Sequence, residues 1–148
     1  MADTGYNWDS SFSYVQKSGT GNWTGLDVAD NANAGSALIS QDVKSSTEIV
    51  FDLYEDNTGA IDGDVTIYIL RNYDDTQFEG SAAGAFDATV LGGAYRFAVR
   101  PVQSKHLYQG FVLHGSEWSQ FRVWILNEAG QTLTTEFKYK QTTIPLAS

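Results

Sequence analysis

Residues 55–64, with the sequence EDNTGAIDGD, hold the densest group of ion-binding side chains, four carboxylates and two glycines. Calcium binds such oxygen ligands, but an EF-hand loop also needs Gly at its position 6 and Glu at its position 12. Counted from Asp52, these positions hold Asn57 and Gly63. Counted from Asp56, both hold isoleucine. The EF-hand motif is therefore absent in both registers.

Two interpretations of this acidic segment remain. One is a looser calcium site with ligands from Asp56, Asn57, Asp62 and Asp64, since hard cations accept carboxylate and amide oxygens in irregular geometries. The other is a solvated turn in which asparagine and glycine supply unusual backbone angles. We favour the turn. It predicts no bound metal, and it predicts a β-hairpin whose two strands return to the same core.

Other arrangements of reactive side chains give weaker support for a metal or catalytic site. His106 and His114 lie eight residues apart in one predicted strand, which at ~3.4 Å per residue separates them by about 27 Å and forbids a shared metal ion. The nucleophile elbow G-x-S-x-G is missing, and SGTGNWTG does not match a phosphate loop. A glycosidase is a third hypothesis, because it needs a pair of carboxylates such as Asp74 with Asp75, or Glu117. The side chains of adjacent residues point apart, however, which argues against a catalytic pair. We expect no enzyme and no cofactor.

Composition indicates one packed domain over residues 1–148, in which residues 1–35 form a partly extended N-terminal segment. Hydrophobic residues make up 42% of the chain and aromatic residues 14%, enough apolar surface to offset the entropy of ordering. Cysteine is absent, which excludes disulfides and thiolate metal sites. The formal net charge of -9 disfavours nucleic acid as a partner. No apolar run approaches the roughly 20 residues that span a bilayer, and no signal segment is evident, so we expect synthesis in the cytoplasm and no membrane partner.

Alternation of apolar and polar residues with a period of two predicts β-strands. Strands are expected at residues 47–54, 64–71, 95–100 and 106–113, and a hairpin at residues 119–142 with NEAG as its turn. Phe51 faces the core while Asp52 points away, and Phe121 and Phe137 face inward from the two arms of the hairpin. Gly110 predicts a β-bulge. We expect an all-β, antiparallel β-sandwich of about seven to nine strands, with jelly-roll or immunoglobulin-like topology.

Aromatic residues outside this core are the candidate binding groups. Trp124 and Arg122 occupy the outer face of their strand, and Arg96 and Arg100 the outer face of theirs. If the strands are neighbours, these residues form a flat patch typical of binding hot spots; alternatively, the N-terminal segment or a second sheet covers Trp124. Residues 80–95 predict a long loop that is functional, mobile or ordered by a partner. The candidate partner-binding residues are Tyr6, Trp8, Trp23, Trp118, Arg122 and Trp124.

Three phrases are spread over nearly the full length of the sequence: ADTGYNW…FSYVQKS, EDNTGAIDGDVTIYIL and NEAGQTL…FKYKQTTIPLAS. They resemble small all-β virion structural proteins of tailed bacteriophages. The resemblance implies a non-enzymatic capsid decoration or accessory protein of the virion that binds capsid or tail subunits and forms a homo-oligomer. The alternative hypothesis is a carbohydrate-binding module or lectin-like β-sandwich that stacks sugars on Trp8, Trp23, Trp118 or Trp124.

Overall fold

The chain folds into β-strands. A computed structural model describes residues 7–19, 21–41, 46–55, 59–72, 78–82, 85–87, 95–114 and 120–143. These residues form thirteen strands and no helix: β1 (Asn7–Trp8), β2 (Ser13–Tyr14), β3 (Leu26–Val28), β4 (Asn33–Gly35), β5 (Ile39–Ser40), β6 (Ser46–Tyr54), β7 (Val65–Arg71), β8 (Ser81–Ala82), β9 (Ala85–Phe86), β10 (Tyr95–Val99), β11 (His106–His114), β12 (Gln120–Asn127) and β13 (Leu133–Thr143). Within this part of the chain, no helix has the length and apolar character needed to cross a membrane.

Two antiparallel sheets form a β-sandwich. The first sheet has the order β1, β13, β6, β11, and β2 and β3 also pair with β13. The second sheet has the order β10, β7, β12, β4, and β5 also pairs with β12. A separate hairpin, β8 with β9, lies between β7 and β10 in the chain. The predicted antiparallel sandwich is confirmed.

The order of pairing distinguishes the two predicted topologies. We group β1–β3 and β4–β5 and set the separate β8–β9 hairpin aside. Successive strands then alternate between the two sheets, except that β7 and β10 belong to the same one. Immunoglobulin domains pair sequential strands within a sheet, whereas jelly rolls distribute two Greek keys over two sheets. The pairing is therefore that of a jelly roll. The thirteen strands exceed the expected seven to nine because the early chain is divided into short segments and because the separate hairpin adds β8 and β9.

The core lies between the sheets and follows the predicted alternation. Phe51 and Leu53 of β6 and Ile67 of β7 belong to one buried cluster, whereas Asp52 points away from it. Burial of each such apolar side chain contributes roughly 1.5–3 kcal/mol relative to an exposed one. The period-two pattern thus identified the inward residues of both strands correctly.

The predicted hairpin at residues 119–142 is wrong. Its two arms are β12 and β13, which pair with different sheets, so Phe121 and Phe137 face the same core from opposite sides. The connection is held as a corner by the buried side chain of Asn127, whose Nδ2 donates to Val28 O at 2.9 Å and to Gln131 O at 2.7 Å. Alternation shows which side chains are buried, but a corner and a hairpin turn bury the same ones.

The acidic segment also joins strands of different sheets, so the β-hairpin predicted there is wrong as well. β6 belongs to the first sheet and β7 to the second, although both contribute to one core as expected. Glu55 is fully buried at the start of this corner. Its Oε1 accepts a hydrogen bond from Gly59 N at 3.4 Å and its Oε2 one from Ser104 N at 3.1 Å.

Gly110 does not form the predicted bulge. β11 pairs with β6 residue for residue over its whole length, and Gly110 lies opposite Val50. A Cβ atom at this position would lie 2.7 Å from Ile49 O, closer than real Cβ atoms approach a carbonyl oxygen. The glycine therefore permits the close approach of the two strands and leaves their outer surface without a side chain at this point.

Candidate functional site

The outer face of the second sheet is covered around Trp124 by the chain itself. The rings of Phe78 and Phe86 lie 5.2 and 5.1 Å from the ring of Trp124, and both are stacked on it. Trp124 Nε1 donates a hydrogen bond to Asn33 Oδ1 at 2.9 Å. Trp124 is thus covered, but by the rings of Phe78 and Phe86 and not, as the alternative interpretation proposed, by the N-terminal segment or the other sheet.

Arg122 belongs to the same covered layer. Its Nη1 donates to Ser36 O at 3.4 Å, and its guanidinium carbon lies 5.2 Å from the centre of the Phe78 ring, within the range of a cation–π interaction. These contacts hold Phe78 and β12 together. They give Arg122 a structural role in the fold.

The arginines predicted to share this face separate into two environments. Arg96 pairs with Tyr68, which pairs with Trp124, so Arg96 and Trp124 share the outer face as predicted. Arg100 Nη1 lies 3.6 Å from Asp64 Oδ1 in an exposed ion pair. Because Trp124 is covered, these residues do not form the flat exposed patch that we expected.

Trp23 is a core residue, although we expected it among the aromatic residues outside the core. Its side chain is fully buried, and its ring centre lies 4.5 Å from that of Phe137. Its Nε1 donates to Thr135 Oγ1 at 2.8 Å. A tryptophan buried with its N–H satisfied stabilises the sandwich and offers no surface to a partner.

Trp8 is the predicted aromatic that remains accessible, with 41% of its surface exposed. It lies in β1, which pairs with β13, and Lys140 Nζ lies 5.9 Å from the centre of its ring. Tyr6 and Trp118, the other two predicted binding aromatics, fall outside the described residues.

The outer face of the first sheet is open among the described residues, and the strand register gives its layout. Tyr108 pairs with Asp52, which pairs with Glu136, so these side chains form one row across β11, β6 and β13. The next row holds Gly110, Val50 and Lys138 in the same strand order. We call this surface, with the aromatic side chains of Trp8, Phe12 and Tyr14 at its β13 side, the open face.

A groove of about 410 Å³ crosses the open face. It is lined by Phe12, Val50, Phe51, Asp52, Tyr108, Gln109, Glu136 and Lys138. Because β2 and β11 lie on opposite sides of β13 and β6, Phe12 and Tyr108 border the groove on its two sides. Because Gly110 has no side chain, Val50 is left uncovered at the floor of the groove.

Three aromatic rings are stacked along one border of the groove. The ring of His106 lies 4.0 Å from that of Tyr54 and 5.6 Å from that of Tyr108, with interplanar angles of 4° and 7°. Tyr108 is 72% exposed, so one broad surface of a supported ring faces solvent. Such a ring offers contact area at a low cost in conformational entropy.

Lysines of β13 are held against the opposite border. Lys138 Nζ lies 4.9 Å from the centre of the Tyr14 ring, and Lys140 Nζ lies 4.5 Å from that of Phe12. These are cation–π distances. The ammonium groups therefore help to place the rings of the N-terminal segment over β13.

The carboxylates in the groove have different partners. Asp52 Oδ2 lies 2.7 Å from His106 Nδ1, while Asp52 Oδ1 is buried and has no hydrogen-bond partner among the described residues. Glu136 Oε1 accepts a hydrogen bond from Thr24 Oγ1 at 3.1 Å. A buried oxygen without a partner calls for an explanation, and a bound ligand or water is one.

The described residues form no cluster of His, Asp or Glu suited to a metal ion. Asp62 and Asp64 of the acidic segment are exposed, and Asp64 is paired with Arg100. Asp56 and Asn57, the other proposed calcium ligands, lie outside the described residues. His106 and His114 occupy the two ends of β11 and bind different partners, Asp52 and Ser46.

No protein-family model and no curated protein matches this chain. The candidate site therefore rests on its own geometry. Sequence reasoning placed Asp52 on the outer face of its strand but did not identify Phe12, Tyr108 or Glu136 as its neighbours. The signal for Tyr108 was its alternation with Leu107 and Gln109 in β11, which by itself does not name the strands beside it.

Proposed function

We propose that the protein is a non-enzymatic structural component of a bacteriophage virion, a capsid decoration or accessory protein that binds other virion proteins and assembles as a homo-oligomer. The resemblance of three sequence phrases to virion proteins supports the proposal. Jelly rolls are common among viral capsid domains, which is compatible with it. Because a fold alone does not determine function, the proposal also needs a residue that could contact another virion protein.

The observation that carries this proposal is the position of Trp8. Its half-exposed indole lies in β1, the outermost strand on that side of the first sheet, where a neighbouring subunit can reach it. Tryptophan is enriched in binding hot spots, and outermost strands offer backbone groups for pairing. Val112, 42% exposed on the same sheet, adds apolar surface at the other side.

Purified particles of the phage that encodes the chain test the proposal. We expect the protein in intact virions by mass spectrometry, at a fixed ratio to the capsid or tail subunits. Trp8→Ala should lower its incorporation, whereas Tyr95→Ala, which removes a tyrosine 50% exposed on the second sheet, should not. Absence of the protein from purified virions overturns the proposal.

A carbohydrate-binding function is the second candidate, and the groove of the open face favours it. Tyr108 is exposed and lies beside two carboxylates, so it offers a stacking surface next to hydrogen-bond acceptors. Trp23 is buried and Trp124 is covered, so neither offers such a surface. The two candidates do not exclude each other, because Trp8 is not among the residues that line the groove. Measuring binding to a panel of polysaccharides tests the carbohydrate-binding function directly.

A further inference from the structure

We propose that the groove of the open face is a binding site for a neutral saccharide. Tyr108 stacks on a sugar ring, and Asp52, Glu136 and Lys138 form hydrogen bonds with its hydroxyl groups. The inference rests on the carbohydrate-binding candidate, gives it a site that the sequence did not identify, and is independent of the virion proposal.

The size and position of the groove suit a small ligand. Its volume of about 410 Å³ falls within the range of roughly 300–1,000 Å³ that is usual for small-molecule sites. It crosses three adjacent strands, which lie about 4.8 Å apart, so backbone pairing sets its lining except for Phe12, which comes just before β2. Side chains carried by paired strands are positioned more accurately than those on loops.

Tyr108 has the properties of a stacking surface. It is the most exposed of the large apolar side chains among the described residues, yet its ring is aligned with those of His106 and Tyr54. Sugar rings present C–H groups on their faces, and an aromatic face buries these groups favourably. The alignment reduces the rotamer freedom that Tyr108 loses on binding.

The polar groups of the groove match hydroxyl groups. Asp52 Oδ1 has no partner among the described residues, and His106 holds the other oxygen of the same carboxylate. Asp52 and Glu136 are directly opposed across neighbouring strands, and Lys138 is one row away. A sugar hydroxyl both donates and accepts hydrogen bonds, so it is served by carboxylate acceptors and an ammonium donor in one place.

Charge selects the class of saccharide. The groove contains two carboxylates and one ammonium group, and the chain carries a formal net charge of -9. Uronates, sulfated glycans and nucleic acids are therefore repelled over several ångströms, and their anionic groups find few cationic partners. A neutral hexose or pentose polymer meets no such repulsion.

Affinity electrophoresis and calorimetry with laminarin, mannan, xylan, galactan and dextran test the proposal, with alginate as the anionic comparison. We expect saturable binding to at least one neutral polymer and none to alginate. Tyr108→Ala should weaken that binding about tenfold or more, because the buried face of one ring is lost. Asp52→Asn, which keeps the size of the side chain, should weaken it less. Tyr95→Ala removes an exposed tyrosine of the other sheet and should bind as the unchanged protein does.

The possible results separate the two proposals. Failure of every neutral polymer to bind, or unchanged binding by a folded Tyr108→Ala variant, overturns the saccharide site. Loss of virion incorporation by Tyr108→Ala without any saccharide binding also overturns it, and identifies the groove as a protein contact. Absence from virions together with Tyr108-dependent saccharide binding overturns only the virion proposal.

Discussion

His106 Nδ1 lies 2.7 Å from Asp52 Oδ2, and the same imidazole ring is stacked with Tyr108. One side chain therefore orients both the carboxylate and the aromatic ring proposed to contact a ligand. The arrangement follows from β pairing, since His106 and Tyr108 are two apart in β11 and Asp52 lies in β6 directly opposite Tyr108. His106 is about half exposed, so the contacts contribute more to the order of the groove than to global stability.

Replacement of His106 tests this positioning role. His106→Ala should weaken binding of the neutral polysaccharide several-fold while the melting temperature changes little, because the site is exposed. His114→Ala is the matched control, since His114 lies in the same strand outside the groove. If His106 acts through Asp52, adding His106→Ala to Asp52→Asn should weaken binding little further. Full additivity of the two changes would show that His106 does not act through Asp52.

Trp23 and Thr135 form a buried pair whose energy can be measured. Trp23→Ala should lower the free energy of unfolding by about 3–5 kcal/mol, the usual cost of deleting a large buried aromatic side chain. Trp23→Phe keeps a ring against Phe137 but leaves Thr135 Oγ1 without its donor, and should cost about 1–3 kcal/mol.

A double-mutant cycle isolates the hydrogen bond of this pair. Thr135→Val alone leaves the buried Trp23 N–H unsatisfied, so the combination of Trp23→Phe with Thr135→Val should cost less than the sum of the two single changes. Urea unfolding gives all four free energies. If the double variant lost as much stability as the two single variants together, the hydrogen bond would contribute nothing beyond packing.

Much of the fold was predictable because alternation depends on nearest neighbours in the chain. The inward positions of Phe51, Phe121 and Phe137 follow from local pattern and are confirmed. Which sheet a strand joins depends on corner geometry, such as the buried amide of Asn127, and this is not visible in the alternation. For that reason both predicted hairpins were wrong, although their core residues were right.

The candidate site was less predictable because it depends on long-range pairing. Asp52, Tyr108 and Glu136 come from three strands far apart in the chain and become one row only through register. The burial of Trp23 was unpredictable for the same reason. It lies in a glycine-rich segment that reads as a loop, yet its partner Thr135 is 112 residues away.

Calcium should have no effect on stability. Asparagine and glycine in the acidic segment favour a solvated turn over a metal site, and Asp64 is paired with Arg100. A ligand that binds the folded state at 100 times its dissociation constant adds about 2.7 kcal/mol to the free energy of unfolding. We therefore expect the same melting temperature in millimolar Ca²⁺ as in chelator, with Mg²⁺ as a control for ionic strength. A rise specific to Ca²⁺, lost on Asp62→Asn, would restore the calcium interpretation.

Glu55 shows what the first carboxylate of the acidic segment does. Its buried side chain accepts backbone hydrogen bonds from Gly59 and Ser104, and so joins the corner after β6 to the turn before β11. Ser104 has a positive φ of 56°, an uncommon conformation for a residue with a side chain, and the carboxylate helps to hold it. Glu55→Gln replaces one acceptor oxygen by a donor amide that faces a backbone N–H. It should lower the free energy of unfolding by about 1–3 kcal/mol.

Glu128→Gln is the matched control for this change, because the Glu128 side chain is exposed and its replacement should alter stability by less than about 0.5 kcal/mol. Both variants remove one negative charge, so a shared effect would be attributed to net charge and not to the corner. Because Ser104 is two residues before His106, Glu55→Gln should also speed amide hydrogen exchange at the start of β11 more than in β12. Equal stability of the two variants would show that the corner is held by other contacts.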